Sequence, residues 1–292
     1  MLTELNVNLR PLVKKLEVLS KKNVGGELAG GYRTFFKGRG LDFDGYRKYE
    51  SMDDSNQIDW KASLRAQDLL LKVFLEERNL DVFILFDTSA SMCFSSTEKL
   101  KCEYAAEVVA SIAFASIQVG DNVGLIMFND TVKAMIKPKQ GKAQFGKIIH
   151  TLSNPKHYDG QFNLEAAITV VNSVMKREGI VMIVSDFIGL PDNWRTLLAG
   201  LTSKCDLFAI MIRDPRDDDL PLELQDVSVS DPYSEETLLF NTREFKDRFS
   251  NNAREIKEKI IHNVKVLRGN FLELNTTEPF EKKIISFFRM AI

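Results

Sequence analysis

Cysteine is scarce and poorly placed for chemistry. Cys93, Cys102 and Cys205 are odd in number and never form a C-x-x-C arrangement, so neither a disulfide framework nor a zinc site is indicated, and a reduced compartment is expected. Histidine is equally thin: His150, His157 and His262 show no H-E-x-x-H or paired spacing. An excess of charge is missing too. A net charge of −2 offers no basic stripe for phosphate backbones, which excludes recognition of nucleic acid by charge. No apolar run approaches the roughly 20 residues that span a bilayer, and "MLTELNVNLRPLVKKLEVLSKK" carries charges where a signal peptide needs an apolar core. A soluble, cytoplasmic protein without membrane insertion is expected. There is no Walker loop, internal repeat or low-complexity tract.

What is present is ordinary globular material, 44% apolar and 27% charged. Leu9, Leu12, Val13, Leu16 and Leu19 recur at helical spacing, with Pro11 suited to a first turn, and predict an N-terminal amphipathic helix. The following stretch to Trp60 is dense in glycine and aromatics and reads as loops and short strands. Residues 1–79 are therefore expected to form a helix and an appended segment, and residues 80–292 the main domain.

From Leu80 the pattern alternates: "DVFILF", "NVGLIMF", "VKAMIK", "GIVMIVSDF" and "CDLFAIMI" as strands, with helical stretches between. Ser95 and Glu98 have capping-box spacing ahead of "KLKCEYAAEVVASIAFASIQ". Such alternation predicts an α/β fold, a doubly wound, mostly parallel sheet with helices on both faces. "RDPRDDDLPLELQ" reads as a solvated acidic loop, followed by short strands at "DVSVS" and "ETLLF", a long helix from Thr242 to Val266, a last strand at "NFLELNT" and a closing helix.

The stretch "VFILFDTSASM" runs an apolar strand straight into Asp87, Thr88, Ser89 and Ser91. Open parallel sheets bind ligands at the carboxyl ends of their strands. Asp186, after "IVMIVS", falls at the equivalent edge. Asp87, Ser89, Ser91 and Asp186 supply oxygen ligands suited to a hard divalent cation, magnesium or manganese. Turns and caps use the same residue types.

"DTSAS" after "VFILF", with "SDF" after "IVMIV", resembles the metal-ion-dependent adhesion site of von Willebrand factor type A domains. "FKGRGLDFDGYRKYESMDDSNQIDWKASLR", "LLLKVFLEER" and "GDNVGLIMFND" extend the likeness, from about Gly25 to Asp219, to the bacterial family called domain of unknown function 58. That resemblance implies a type A-like domain, an interaction module whose metal at Asp87, Ser89, Ser91 and Asp186 recruits a partner's acidic group. It also implies company with MoxR-type AAA+ ATPases, and with other type A domain proteins, in complex maturation. The family's threonine ligand position is Phe162 here, and Asn163 follows it. A phenyl ring cannot ligate magnesium. Two readings stay open: docking through the remaining oxygens, or metal-independent binding through the upstream segment 31–60. There the family's arginines are missing, and Arg47, Asp59 and Trp60 are expected to supply a salt bridge and a packing aromatic.

No enzyme is expected. A haloacid-dehalogenase-type phosphatase also places an Asp after a parallel strand, but needs a second Asp two residues on, where this chain has Ser89. Ser89 and Ser91 lack the flanking glycines of a hydrolase nucleophile elbow.

Overall fold

The computed structural model describes Tyr32 and residues 43–50, 53, 55, 58–74, 79–176, 178–220, 226–230 and 237–290. The helix expected over Leu9–Leu19 lies outside the described residues. Strand β1 (Phe43–Lys48) pairs antiparallel with β2 (Leu70–Phe74), and helix α1 (Trp60–Ala66) lies between them in sequence. Arg47 grips Asp53 with both terminal nitrogens at 2.5 Å. Asp59 caps α1 by accepting from the Lys61 and Ala62 amides. The expected packing aromatic is not one: Trp60 is 62% exposed, because it opens the helix on the side facing solvent.

The main sheet follows the predicted alternation. In chain order it runs β3 (Asp81–Asp87), α2 (Lys101–Val119), β4 (Asn122–Phe128), β5 (Val132–Lys139), α3 (Lys142–Leu152), α4 (Leu164–Val174), β6 (Gly179–Ser185), α5 (Trp194–Thr202), β7 (Cys205–Arg213) and α6 (Pro215–Asp218). A hairpin, β8 (Asp226–Ser230) with β9 (Thr237–Asn241), precedes α7 (Thr242–Val266), β10 (Asn270–Asn275) and α8 (Glu281–Met290). The six-stranded sheet has order β10-β7-β6-β3-β4-β5 and is parallel except for the edge strand β5.

Period-two alternation distributes the strand side chains between two cores. Val82, Ile84 and Phe86 face α2, α3 and α8, whereas Phe83 and Leu85 face α4, α5 and α7. Central strands covered on both faces must be apolar throughout, which is why β3, β4 and β6 read as continuous hydrophobic runs. Fully burying one such side chain is worth about 1.5–3 kcal/mol. α2 is buried on nearly every side and ends at Gly120 (φ 94°), the left-handed position that favours glycine. By length and composition α2 could also cross a bilayer, but its apolar residues form the core. Tyr32, from the segment upstream of β1, is fully buried in this core against the Phe288 ring at 5.5 Å.

Ser95 does not cap α2. Its hydroxyl accepts from the Thr97 amide, and the helix begins later, at Lys101, where Glu103 turns back to accept from the Leu100 amide.

Candidate functional site: a closed polar cluster at the carboxyl edge of the sheet

β3 is flanked by β4 on one side and β6 on the other, so the chain diverges from its carboxyl end. That is the topological switch point where open sheets place ligands. Asp87 ends β3 and Asp186 follows the last residue of β6, so the sheet brings together the two carboxylates predicted from sequence. Asp87, Ser89, Ser91 and Asp186 are all buried. Asp87 Oδ1 accepts from the Ser89 amide at 2.9 Å, and Asp87 Oδ2 from the Ser185 hydroxyl at 2.6 Å. Ser185 in turn accepts from the Phe187 amide at 2.8 Å, across a turn in which Phe187 takes φ 58°. A buried phenylalanine in that left-handed region costs energy that the surrounding bonds must offset.

A loop covers the edge. The Ala90 amide donates to the Gly160 carbonyl at 2.8 Å and the Asp159 amide to the Thr88 carbonyl at 2.9 Å. Gly160 has φ 95°, and a Cβ there would meet Asp130 Oδ1 at 3.0 Å, so only glycine fits.

The charge arrangement is the main departure from expectation. Lys101, in the first turn of α2, points inward: its Nζ lies 2.7 Å from Asp186 Oδ2 and 3.0 Å from each Asp217 oxygen. The Lys101, Asp186 and Asp217 side chains are 1%, 0% and 7% exposed. The Phe94 ring lies 5.9 Å from the ammonium. Burial would lower the lysine pKa, but the charges of Asp186 and Asp217, with their hydrogen bonds, raise it above its usual value. Burial pushes Asp217 above the usual carboxylate range despite Lys101 and Arg213. Asp87 is pushed up to about 7, by burial first and by the Asp186 charge second, against the hydrogen bonds from Ser185 and Ser89.

The expected solvated acidic loop is instead part of this cluster. Asp214 is buried, caps α6 through the Arg216 amide, and accepts from the Ser96 amide at 2.8 Å and the Ser96 hydroxyl at 2.5 Å. It thereby ties the end of β7 to the loop that leads into α2.

Does this set fit a divalent ion? The Ser89 and Ser91 hydroxyl oxygens lie 3.2 Å apart. With ligands at about 2.1 Å, neighbouring vertices of an octahedron lie about 3 Å apart, so the pair is compatible with magnesium. Asp186 is already engaged on both oxygens, by the Lys101 ammonium at 2.7 Å and the Ile188 amide at 3.0 Å, so a divalent ion there would have to share this carboxylate with a buried positive charge. Phe162 turns away and packs edge-on to Phe128 at 5.7 Å, and the Asn163 amide oxygen caps α4 by accepting from Ala166. The residues present therefore do not make the four-ligand centre that the resemblance implies.

Lys101, Ser185, Asp214 and Asp217 were missed in the sequence. One signal was available for the lysine: Lys101, Tyr104, Ala105 and Val108 share one helical face, and a lysine on a face otherwise apolar needs a buried partner.

Comparison with known proteins bears on the family. Uncharacterized protein Rv1480 of Mycobacterium tuberculosis (strain H37Rv) is 25% identical over 282 residues, covering 96% of this chain and 88% of that protein. Uncharacterized protein MAV169 of Mycobacterium avium is 27% identical over 128 residues, 44% of this chain and 75% of that one. Among solved structures, BatB from Bacteroides thetaiotaomicron superposes with a TM-score of 0.47 at 10% identity, covering 73% of this chain and 98% of that one. A von Willebrand factor type A protein from Catenulispora acidiphila gives 0.42 at 11%, covering 76% and 44%. Residues 45–259, which hold every residue of the edge cluster, match the family described as protein of unknown function DUF58. The chain is a DUF58 family member, an α/β protein built on a mostly parallel six-stranded sheet.

Proposed function

We propose that this protein is a non-enzymatic, cytoplasmic adaptor that docks a partner at the carboxyl edge of its sheet, the partner being a MoxR-type AAA+ ATPase engaged in complex maturation. The likeness of Asp87, Ser89, Ser91 and Asp186 to a type A adhesion site supports an interaction module. The observation that carries the reading is the concentration of buried polar groups at one edge: Asp87, Ser89, Ser91, Lys101, Asp186 and Asp214. Buried polar groups are costly unless mutually satisfied, and their concentration at one strand edge marks that edge as the candidate site. The hydroxyls of Ser89 and Ser91 lie 3.2 Å apart, and the Ser89 side chain also hydrogen-bonds Asp87, so both belong to one polar network. The partner is assigned from the family resemblance.

A second reading has its own observation. Trp60 and Leu64, one turn apart on α1, are 62% and 80% exposed, and a pair of that kind suits an anchor for a partner within the upstream segment. Binding of a purified MoxR-type ATPase from the same genome separates the two. Under edge docking, Asp87→Ala and Phe94→Glu, the latter at the half-exposed rim over Lys101, weaken binding at least about tenfold, the usual effect of losing an anchor. Full binding by both, with loss in Trp60→Ala/Leu64→Ala, replaces the edge with the upstream segment.

A further inference from the structure

We propose that Lys101 takes the place of the divalent ion at this edge, so that its ammonium is the cation of the site and Asp217 the carboxylate that completes it from outside the sheet. The inference rests on the edge-docking reading. Three observations converge on it. First, the ammonium bridges the strand-end carboxylate Asp186 and the α6 carboxylate Asp217 at hydrogen-bond distance, with all three side chains nearly inaccessible. A lysine at the first turn of a helix would ordinarily snorkel to water. Folding the whole stem inward is tolerated only where the charge is fully paired. Second, a divalent ion using Asp186 would face this ammonium across one carboxylate, and like charges at such distances repel strongly in a buried site. Third, position 162 has given up any ligand role: Phe162 serves the core beside Phe128.

The arrangement thus reproduces, inside one chain, the order core carboxylate, cation, outer carboxylate. A partner's Asp or Glu would reach Lys101 by exchanging with Asp217, and would do so without divalent metal.

The test is titration of MgCl2, and separately MnCl2, into the chelator-stripped full-length chain, followed by calorimetry and thermal unfolding. The wild type is expected to give no saturable heat and no rise in Tm at millimolar metal. Lys101→Ala is expected to melt lower and to recover part of the loss in MgCl2, because a ligand bound only by the native state raises its Tm. The recovery disappears in Lys101→Ala/Asp186→Asn. Saturable binding by the wild type, or a folded Lys101→Ala protein whose Tm magnesium does not raise, overturns the proposal. If Lys101→Ala does not fold, acylation of wild-type lysines decides the matter. Lys101 unmodified with and without MgCl2 supports the inference, and labelling that appears only with MgCl2 overturns it. None of these results bears on edge docking, which fails separately if edge variants bind the ATPase as the wild type does.

Discussion

The Tyr32 hydroxyl donates to Asp121 Oδ2 at 2.9 Å across 89 residues of sequence, while Asp121 Oδ1 accepts from the Leu80 amide at 3.1 Å. One fully buried carboxylate therefore fastens the upstream segment and the start of β3 to the turn between α2 and β4. Tyr32→Phe keeps the ring against Phe288 and removes the hydroxyl, which also hydrogen-bonds the Ser116 side chain. The expected loss is about 1–3 kcal/mol, read as a lower urea midpoint at unchanged slope, since a buried acceptor stripped of one partner keeps its desolvation cost. A variant as stable as the wild type would show that the hydroxyl does not anchor this segment.

Asp87 makes stability pH-dependent in a direction opposite to that of most carboxylates. With its folded value pushed up to about 7, the native state holds a proton that the unfolded chain releases near the ordinary aspartate value. Its contribution is greatest at low pH and is lost as pH rises from about 4 to about 7, at up to about 1.4 kcal/mol per pH unit. In chelator-containing buffer, Asp87→Asn should compare better with the wild type at pH 7 than at pH 5. Equal differences at both values would mean that Asp87 is ionised throughout.

Asp214→Ala removes the acceptor for Ser96 and the cap of α6 together. The expected destabilisation is about 1–2 kcal/mol, from the lost cap and the lost tie to Ser96, whose exposed donors turn to water. Hydrogen exchange should rise in 94–100 and 214–219 at once, because one side chain holds both. Protection lost in only one of the two segments would sink this account.

Phe162→Thr restores the side chain expected in a type A site and so asks whether one residue decides metal binding. The variant should lose roughly 1–3 kcal/mol of packing against Phe128. It should still show no magnesium-dependent rise in Tm, because Lys101 remains on Asp186. A gain of magnesium binding from this change alone would place the block at position 162 instead.

The thiols offer a check on the fold. Cys205 is pushed up to about 12 by burial, with the nearby Asp206 charge adding to it, and Cys102 is raised by its hydrogen bond with Cys93 and by burial. Because the thiolate is the reactive form, neither should react with a disulfide reagent at pH 8 until the protein unfolds. Rapid labelling of Cys205 in the native state would contradict its packing.

The parallel sheet was legible because strands buried on both faces have to be apolar for their whole length, and β4 matches "NVGLIMF" residue for residue. The pair Asp87 and Asp186 was legible because strand ends of a doubly wound sheet share one edge. The partners of that pair were not, for a physical reason. Lys101 and Asp217 lie 116 residues apart and are joined only by the side chain's inward fold, which local patterning does not record. The start of α2 was misplaced because Ser95 carries the right residue type, yet its hydroxyl bonds to Thr97. Trp60 shows the same limit from the other side: composition marks an aromatic as core, and only the fold leaves it in solvent.

The outer strand β5 is the sheet's exposed margin beside β4. Lys133, Lys137 and Lys139 project from it, and Pro138 withholds one backbone donor. Lysines and proline on an open strand discourage a second chain from adding itself there. The molecule is thereby guarded against polymerising through this margin, and a partner extending the sheet by strand addition finds it unwelcoming.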